Sequence, residues 1–178
     1  NCNVVASEIR DLVSDTAAID VNVVNQVLTH YFGLILDVAI GKVDTNLANT
    51  YHFRSGSITI PKIGKWAYTD DIIHGVNYPK LKFTVSPMFS IDSGITSYTW
   101  EKRILDNARW VNSISSGKGI KNISMQRRLA YCTHLLTGVS LDKTLLVLHY
   151  FWDVWYKMLL KGRNVQLSNI GTFYTKER

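Results

Sequence analysis

The chain has 178 residues, of which 46% are apolar and 19% are charged, and its formal net charge is +6. This balance is typical of folded proteins and excludes an intrinsically disordered chain. The length allows one ordinary domain or two small ones, each with only a modest core. Cys2 and Cys132 fit neither a disulfide framework nor a zinc site, so a reducing compartment is expected.

The positive charge is concentrated in the last third of the chain. Residues 118–178 contain ten Lys and Arg against three Asp and Glu, a net charge of +7, whereas residues 1–117 contain ten against eleven. This distribution predicts either a surface for an anionic partner or an ordinary solvated face. No signal peptide begins the sequence, and charged residues interrupt the apolar window 145–160, so a soluble protein without membrane contact is expected.

In the first half, apolar spacing predicts a short helix over residues 7–16 and a longer one over 21–40 that ends at Gly41. Strands are expected over three segments, and a further helix within the stretch that follows them. Those strand segments are 57–60, 65–68 and 80–85, and the helix falls within 98–114. Residues 113–122, rich in Gly, Ser and Lys, are the candidate linker, which divides the chain into domains 1–115 and 116–178.

In the second half, a helix over residues 124–136 is expected to end at Gly138. Ser140 then caps a helix that runs to about Lys161. Alternating apolar residues beyond it predict two strands around a turn at residues 169–171.

Two segments of the sequence recur. His30-Tyr31-Phe32 returns as His149-Tyr150-Phe151 at an offset of 119, and segment 60–66 parallels segment 167–173 at an offset of 107. The difference of 12 predicts an insertion in the first copy within residues 42–57. Both copies therefore consist of two helices and a strand that turns at Ile-Gly into an aromatic strand.

The stretch 138–173 resembles the signature of the HU and integration host factor family. It contains a Gly-hydrophobic-Ser helix start, a Leu-Lys-Gly helix end at residues 160–162, and a Val-x-Leu strand followed by Ile-Gly-Thr-Phe. The first half keeps the Ile-Gly-Lys-Trp turn at residues 63–66 and a third strand over 81–87. The resemblance implies an α+β fold of two tandem modules, the first with a third strand and an extra helix, the second truncated after its hairpin.

In that family, dimers with interlocked helical layers extend basic β-arms with a proline at the tip, which kink duplex DNA. Here residues 69–79 take the place of the first arm and contain Asp70 and Asp71 but no Lys or Arg. In the second half the sequence ends at Arg178, where an arm would begin. Such arms are not expected to clasp DNA.

We therefore expect a structural or assembly protein that uses this fold as a protein–protein building block. The resemblance extends to IHF-like subunits of crAss-like phages, which implies a homo-oligomeric ring in the portal–tail connector of a virion. Its partners would be copies of itself and neighbouring virion proteins, assembled in the host cytoplasm. The alternative is an architectural protein that binds double-stranded DNA without sequence specificity. The candidate nucleic-acid contacts are Lys118, Lys121, Arg127, Arg128, Lys161, Arg163, Lys176 and Arg178.

The helix that follows Ser140 has apolar residues on two neighbouring faces, so both must be covered. Either the other half of the chain covers them, or other subunits also pack there. The candidate subunit-interface residues are Leu141, Leu145, Leu148, Phe151, Trp152, Trp155, Met158 and Leu159.

No catalytic motif is recognised in the sequence. Residues 116–119 contain a Gly-Lys pair but lack the other elements of a phosphate loop. The five His residues do not cluster with Cys or carboxylates, and His30 and His149 are expected to be core residues. We therefore expect no enzyme activity, metal, cofactor or small-molecule substrate.

Overall fold

The computed structural model describes residues 3–4, 6–54, 56–60, 64–85, 109–167 and 171–173. The first half contains β1 (Asn3–Val4), α1 (Ala6–Ala17), α2 (Val21–Ile40), α3 (Thr45–Tyr51), β2 (Ser57–Ile60), β3 (Gly64–Ile73) and β4 (Val76–Val85). The remainder contains α4 (Arg109–Ser116), a 3₁₀ turn (Ile120–Asn122), α5 (Met125–Thr137), α6 (Leu141–Leu160), β5 (Asn164–Leu167) and β6 (Gly171–Phe173). This mixture of helices and mainly antiparallel strands confirms the predicted α+β class.

Local capping sets the bounds of the long helices. The Ser124 hydroxyl accepts a hydrogen bond from a backbone N–H in the first turn of α5, and Ser140 does the same for α6. Gly41 and Gly138 follow α2 and α5 with φ values of 77° and 74°, the left-handed conformation that ends a helix. The caps at Ser140, Gly41 and Gly138 lie where the sequence predicted them, and Ser124, expected inside its helix, is the cap instead.

The strands form two sheets. In the first, β2, β3 and β4 are antiparallel neighbours in that order. In the second, β5 pairs antiparallel with β6, and β1 pairs with β5 in parallel. The hairpin of each sheet has the same register, since Ile60 pairs with Gly64 and Leu167 pairs with Gly171. The N-terminal strand was not predicted, and it ties the start of the chain to the second hairpin.

The helical part of the repeat has an offset of 120, not 119. Both α2 and α6 have 20 residues and begin directly after their N-caps, Asp20 and Ser140. The His-Tyr-Phe triplets are therefore one residue out of register, a rotation of about 100° around the helix. His149 is buried, but His30 is exposed, so the expectation that His30 is a core residue is wrong.

The insertion in the first half contains a helix. α3 occupies Thr45–Tyr51, within the predicted range 42–57, and Asp44 caps its first turn. Because the helices repeat at 120 and the hairpins at 107, the insertion is 13 residues long.

The predicted linker is mostly structured. α4 continues to Ser116, and Ile114 and Ile120 are each only 4% exposed. The remaining connection consists of residues 117–119, whose two glycines have φ values near 70–77°. The part of the predicted helix over residues 98–108 lies outside the described residues. The division into domains 1–115 and 116–178 stays a prediction.

One continuous core joins the two halves. α1 packs more extensively on α6 than on its own neighbour α2, and α2 packs more extensively on α5 than on α6. By length and composition α2 could cross a membrane, a property that core helices share, and half of its apolar window is buried in this core. The most apolar of the described helices therefore contributes one side to this core.

Candidate functional surfaces

The interface candidates on α6 lie inside the chain. Leu148, Phe151, Trp152 and Trp155 are at most 1% exposed. Leu145 and Met158 are also buried, and Leu141 and Leu159 are partly buried against the same core. α1, α2 and α5 of the same chain pack on α6 and account for this burial, which agrees with the first of the two alternatives; a subunit interface at these residues stays a prediction.

A buried hydrogen-bond network connects the halves at this core. The Trp152 indole Nε1 donates to the Tyr31 hydroxyl at 3.3 Å, and that hydroxyl donates to Gln126 Oε1 at 2.6 Å. Burial raises the pKa of Tyr31 far above its ordinary value, so the hydroxyl stays protonated. The network therefore fixes α2, α5 and α6 relative to one another.

Two of the predicted nucleic-acid contacts are engaged within the chain. The Arg128 guanidinium donates to the carbonyl oxygens of Tyr51, His52 and Ile123, each at 3.0 Å. Burial lowers the pKa of Arg128 from its ordinary value, although it remains a cation. Arg163 forms an ion pair with Glu8, 3.1 Å from Nη1 to Oε1. Both side chains therefore hold distant segments together.

The other basic candidates are dispersed. Lys118 and Lys121 are exposed in the connection before α5, and Lys161 is exposed at the end of α6. The Arg127 guanidinium lies 5.7 Å from the centre of the Trp110 ring. Lys176 and Arg178 lie outside the described residues. Three freely exposed lysines therefore remain as the main described candidates for phosphate contacts.

Residues 69–79, which we call the arm, form a paired β-ribbon. β3 and β4 stay in register from Gly64 and Val85 to Ile73 and Val76, well beyond the ends predicted from the sequence. His74 and Gly75 form the two-residue turn, with φ values of 52° and 78°. Two positive φ values are typical of the hairpin turn that matches the natural twist of the strands. The arm is thus an ordered extension of the first sheet.

The arm exposes a cluster of apolar side chains. Ile73, Val76 and Tyr78 are 47–52% exposed. The register places Ile73 opposite Val76 and Asp71 opposite Tyr78, so these four residues share one face of the ribbon. We call it the apolar arm face. Ile72, 70% exposed, points from the opposite face. The sequence signal that was missed is Gly75, placed between two runs of strand-forming residues.

A second apolar surface lies on α5. Arg127, Tyr131 and Leu135 follow one another at a spacing of four along one side of the helix, on which Leu135 is exposed and the other two are half-buried. We call these three residues the α5 face. Leu135 is 49% exposed, and its neighbour Leu136 at the helix end is 50% exposed. This surface combines a cation with apolar side chains.

The described residues contain no group of His, Cys, Asp and Glu that could hold a metal ion. Cys132 is fully buried, and burial raises the pKa of its thiol to about 12. Such a thiol is not a nucleophile at neutral pH. An open groove between α1 and α2 is lined mainly by apolar side chains, and its Arg10 is hydrogen bonded to Asn25.

No family model matches the chain, and no curated protein or solved structure matches it significantly.

Proposed function

We propose that this chain is a non-enzymatic assembly protein that uses its fold as a protein–protein building block. The arm is the observation that carries the proposal. It extends from the sheet, exposes Ile72, Ile73, Val76 and Tyr78, and contains two aspartates but no Lys or Arg. An element that holds the phosphate backbone needs cations, whereas exposed apolar side chains beside acidic ones are suited to a protein surface.

We propose further that the fold consists of two tandem modules that resemble HU and integration host factor. The two helix pairs recur at an offset of 120, and the two hairpins recur at 107 with the same register. The first helix of each half packs on the long helix of the other half, an exchange expected of a two-fold dimer. A chain that already contains this dimer must assemble through other surfaces.

The finer proposal is a ring protein of a phage portal–tail connector. In that setting the partners are copies of this chain and neighbouring virion proteins, and the finished ring belongs to the virion after assembly in the host cytoplasm. The support is the resemblance of residues 138–173 to IHF-like proteins, and fold alone does not specify function.

The second candidate is an architectural protein that binds double-stranded DNA. It is favoured by the net charge of +7 over residues 118–178 and by the exposed lysines Lys118, Lys121 and Lys161. Against it, Arg128 and Arg163 are occupied within the chain. Few phosphate contacts would remain, so binding would be weak and its salt dependence shallow.

The native mass and the DNA affinity of the purified chain test these proposals together. Mass is measured by light scattering over a range of concentrations, and binding is measured with a short labelled duplex at low and moderate salt. We expect a defined oligomer whose weak DNA binding changes little in a Lys118→Gln, Lys121→Gln variant. A monomer that binds DNA tightly, with a steep salt dependence that this variant removes, would overturn the assembly function.

A further inference from the structure

We propose that the apolar arm face of one copy docks on the α5 face of another copy. This inference rests on the proposed function and names the contact through which copies assemble.

The arm is a ribbon that lacks a covering partner within the described part of its own chain. A two-stranded ribbon is marginally stable in water unless a third strand or another surface packs on it. Ile73, Val76 and Tyr78 form a contiguous apolar cluster on one side, each about half exposed. An apolar cluster presented on an ordered projection is typical of an interaction site.

The α5 face offers the chemistry that this cluster needs. Besides the arm and Val21, the large apolar side chains most exposed among the described residues are Leu135 and Leu136. Arg127 lies two turns before Leu135 on the same side of α5, half-buried with its guanidinium over the Trp110 ring, and contributes a positive charge to this side of the helix. The net charges of the two segments are also opposite, since the arm is acidic and residues 118–178 carry a net charge of +7. The two surfaces are therefore complementary in both polarity and charge.

Pairing between two arms is less favourable. A two-fold contact between apolar arm faces would bring Asp71 of both copies to the same interface, where like charges repel. The arm and the α5 face are different surfaces, so their contact is head-to-tail. Head-to-tail contacts generate rings when the rotation closes and filaments when it does not. The arm therefore accounts for an assembly larger than a dimer.

Three single substitutions at exposed positions test the contact. Val76→Lys places a charge on the apolar arm face, and Leu135→Lys places one on the α5 face. Ile72→Lys is the matched control, because it adds the same charge on the opposite side of the same arm. We expect Val76→Lys and Leu135→Lys to weaken association about tenfold or more, while Ile72→Lys assembles like the wild type. Circular dichroism and thermal melting of each variant check that the fold is retained.

Mixing the two defective variants gives a sharper test. The Leu135→Lys chain keeps an intact arm and the Val76→Lys chain keeps an intact α5 face, so an equal mixture should form a one-to-one heterodimer by native mass spectrometry. If Leu135→Lys assembles like the wild type, or if Val76→Lys does, the docking proposal is wrong although the assembly function stands. If the wild type is monomeric at every concentration, the assembly function fails as well. If Val76→Lys loses duplex binding at an unchanged native mass, the arm contacts DNA and the proposal is overturned.

Discussion

Tyr31 is the centre of the buried network, and Tyr31→Phe removes only its hydroxyl oxygen. The change leaves Trp152 Nε1 and Gln126 Oε1 without the partner that each has in the structure. Both side chains are at most 3% exposed, so water does not replace the lost bonds.

The expected loss follows from the two orphaned atoms. A buried polar atom left without a hydrogen bond costs about 1–3 kcal/mol, and the longer indole bond stands at the lower end of that range. We therefore expect the free energy of unfolding to fall by about 2–4 kcal/mol, out of a total of about 5–15 kcal/mol for a typical domain. Urea unfolding followed by tryptophan fluorescence measures this as a lower midpoint at an unchanged slope.

Tyr51→Phe is the matched control. Tyr51 is 9% exposed, and its hydroxyl makes no hydrogen bond to a described residue, so we expect a change within about 0.5 kcal/mol. The double variant Tyr31→Phe, Gln126→Leu should recover part of the loss, because the Gln126 amide is then gone and only Trp152 Nε1 remains without its partner. A Tyr31→Phe variant as stable as the control would refute the network's role in holding the two halves together.

Three further predictions concern single side chains. Arg128→Met should lower the unfolding free energy by about 2–3 kcal/mol because three carbonyl contacts are lost, and Arg128→Lys should not restore it in chemical denaturation. In a Cys2→Ser variant, iodoacetamide should modify Cys132 only after unfolding, and rapid modification of the folded protein would contradict its burial. The free energy of unfolding should decline as pH rises above the ordinary thiol pKa of 9.0, because only the unfolded thiol ionises there. Gly64→Ala would place a Cβ 2.5 Å from the Phe83 ring and 2.7 Å from a backbone oxygen, so the melting temperature should fall by several degrees. Gly33→Ala is the control, because open space surrounds this glycine and its φ is not positive, so the melting temperature should not fall.

Local signals predicted the elements whose ends are set by one residue. Ser140, Gly41 and Gly138 cap their helices where expected, because capping depends on a few neighbouring atoms. The recurring His-Tyr-Phe triplet gave the wrong offset for the helices, because identical residues at two positions need not lie on the same side of a helix. Burial of equivalent positions gives the offset of 120 instead.

The sequence did not predict features that depend on contacts between distant residues. β1 has only two residues, too few for a periodic signal, and pairs with a strand 161 positions away. The arm was underestimated because Asp70 and Asp71 disfavour a strand, whereas the His74-Gly75 turn lets the register continue past them. Two of the three carbonyl partners of Arg128, Tyr51 and His52, lie at the end of α3, inside the insertion, so the sequence could identify the cation but not its use.

The interlocked halves constrain the order in which the chain can fold during synthesis. α1 covers α6, and β1 completes the sheet of β5, so these early segments pair with segments that are synthesised much later. The apolar sides of α1 and α2 stay uncovered until α5 and α6, which end at Thr137 and Leu160, have been synthesised. Folding of this protein should therefore be slow for its helix content, since contacts of high sequence separation must form before either half is stable.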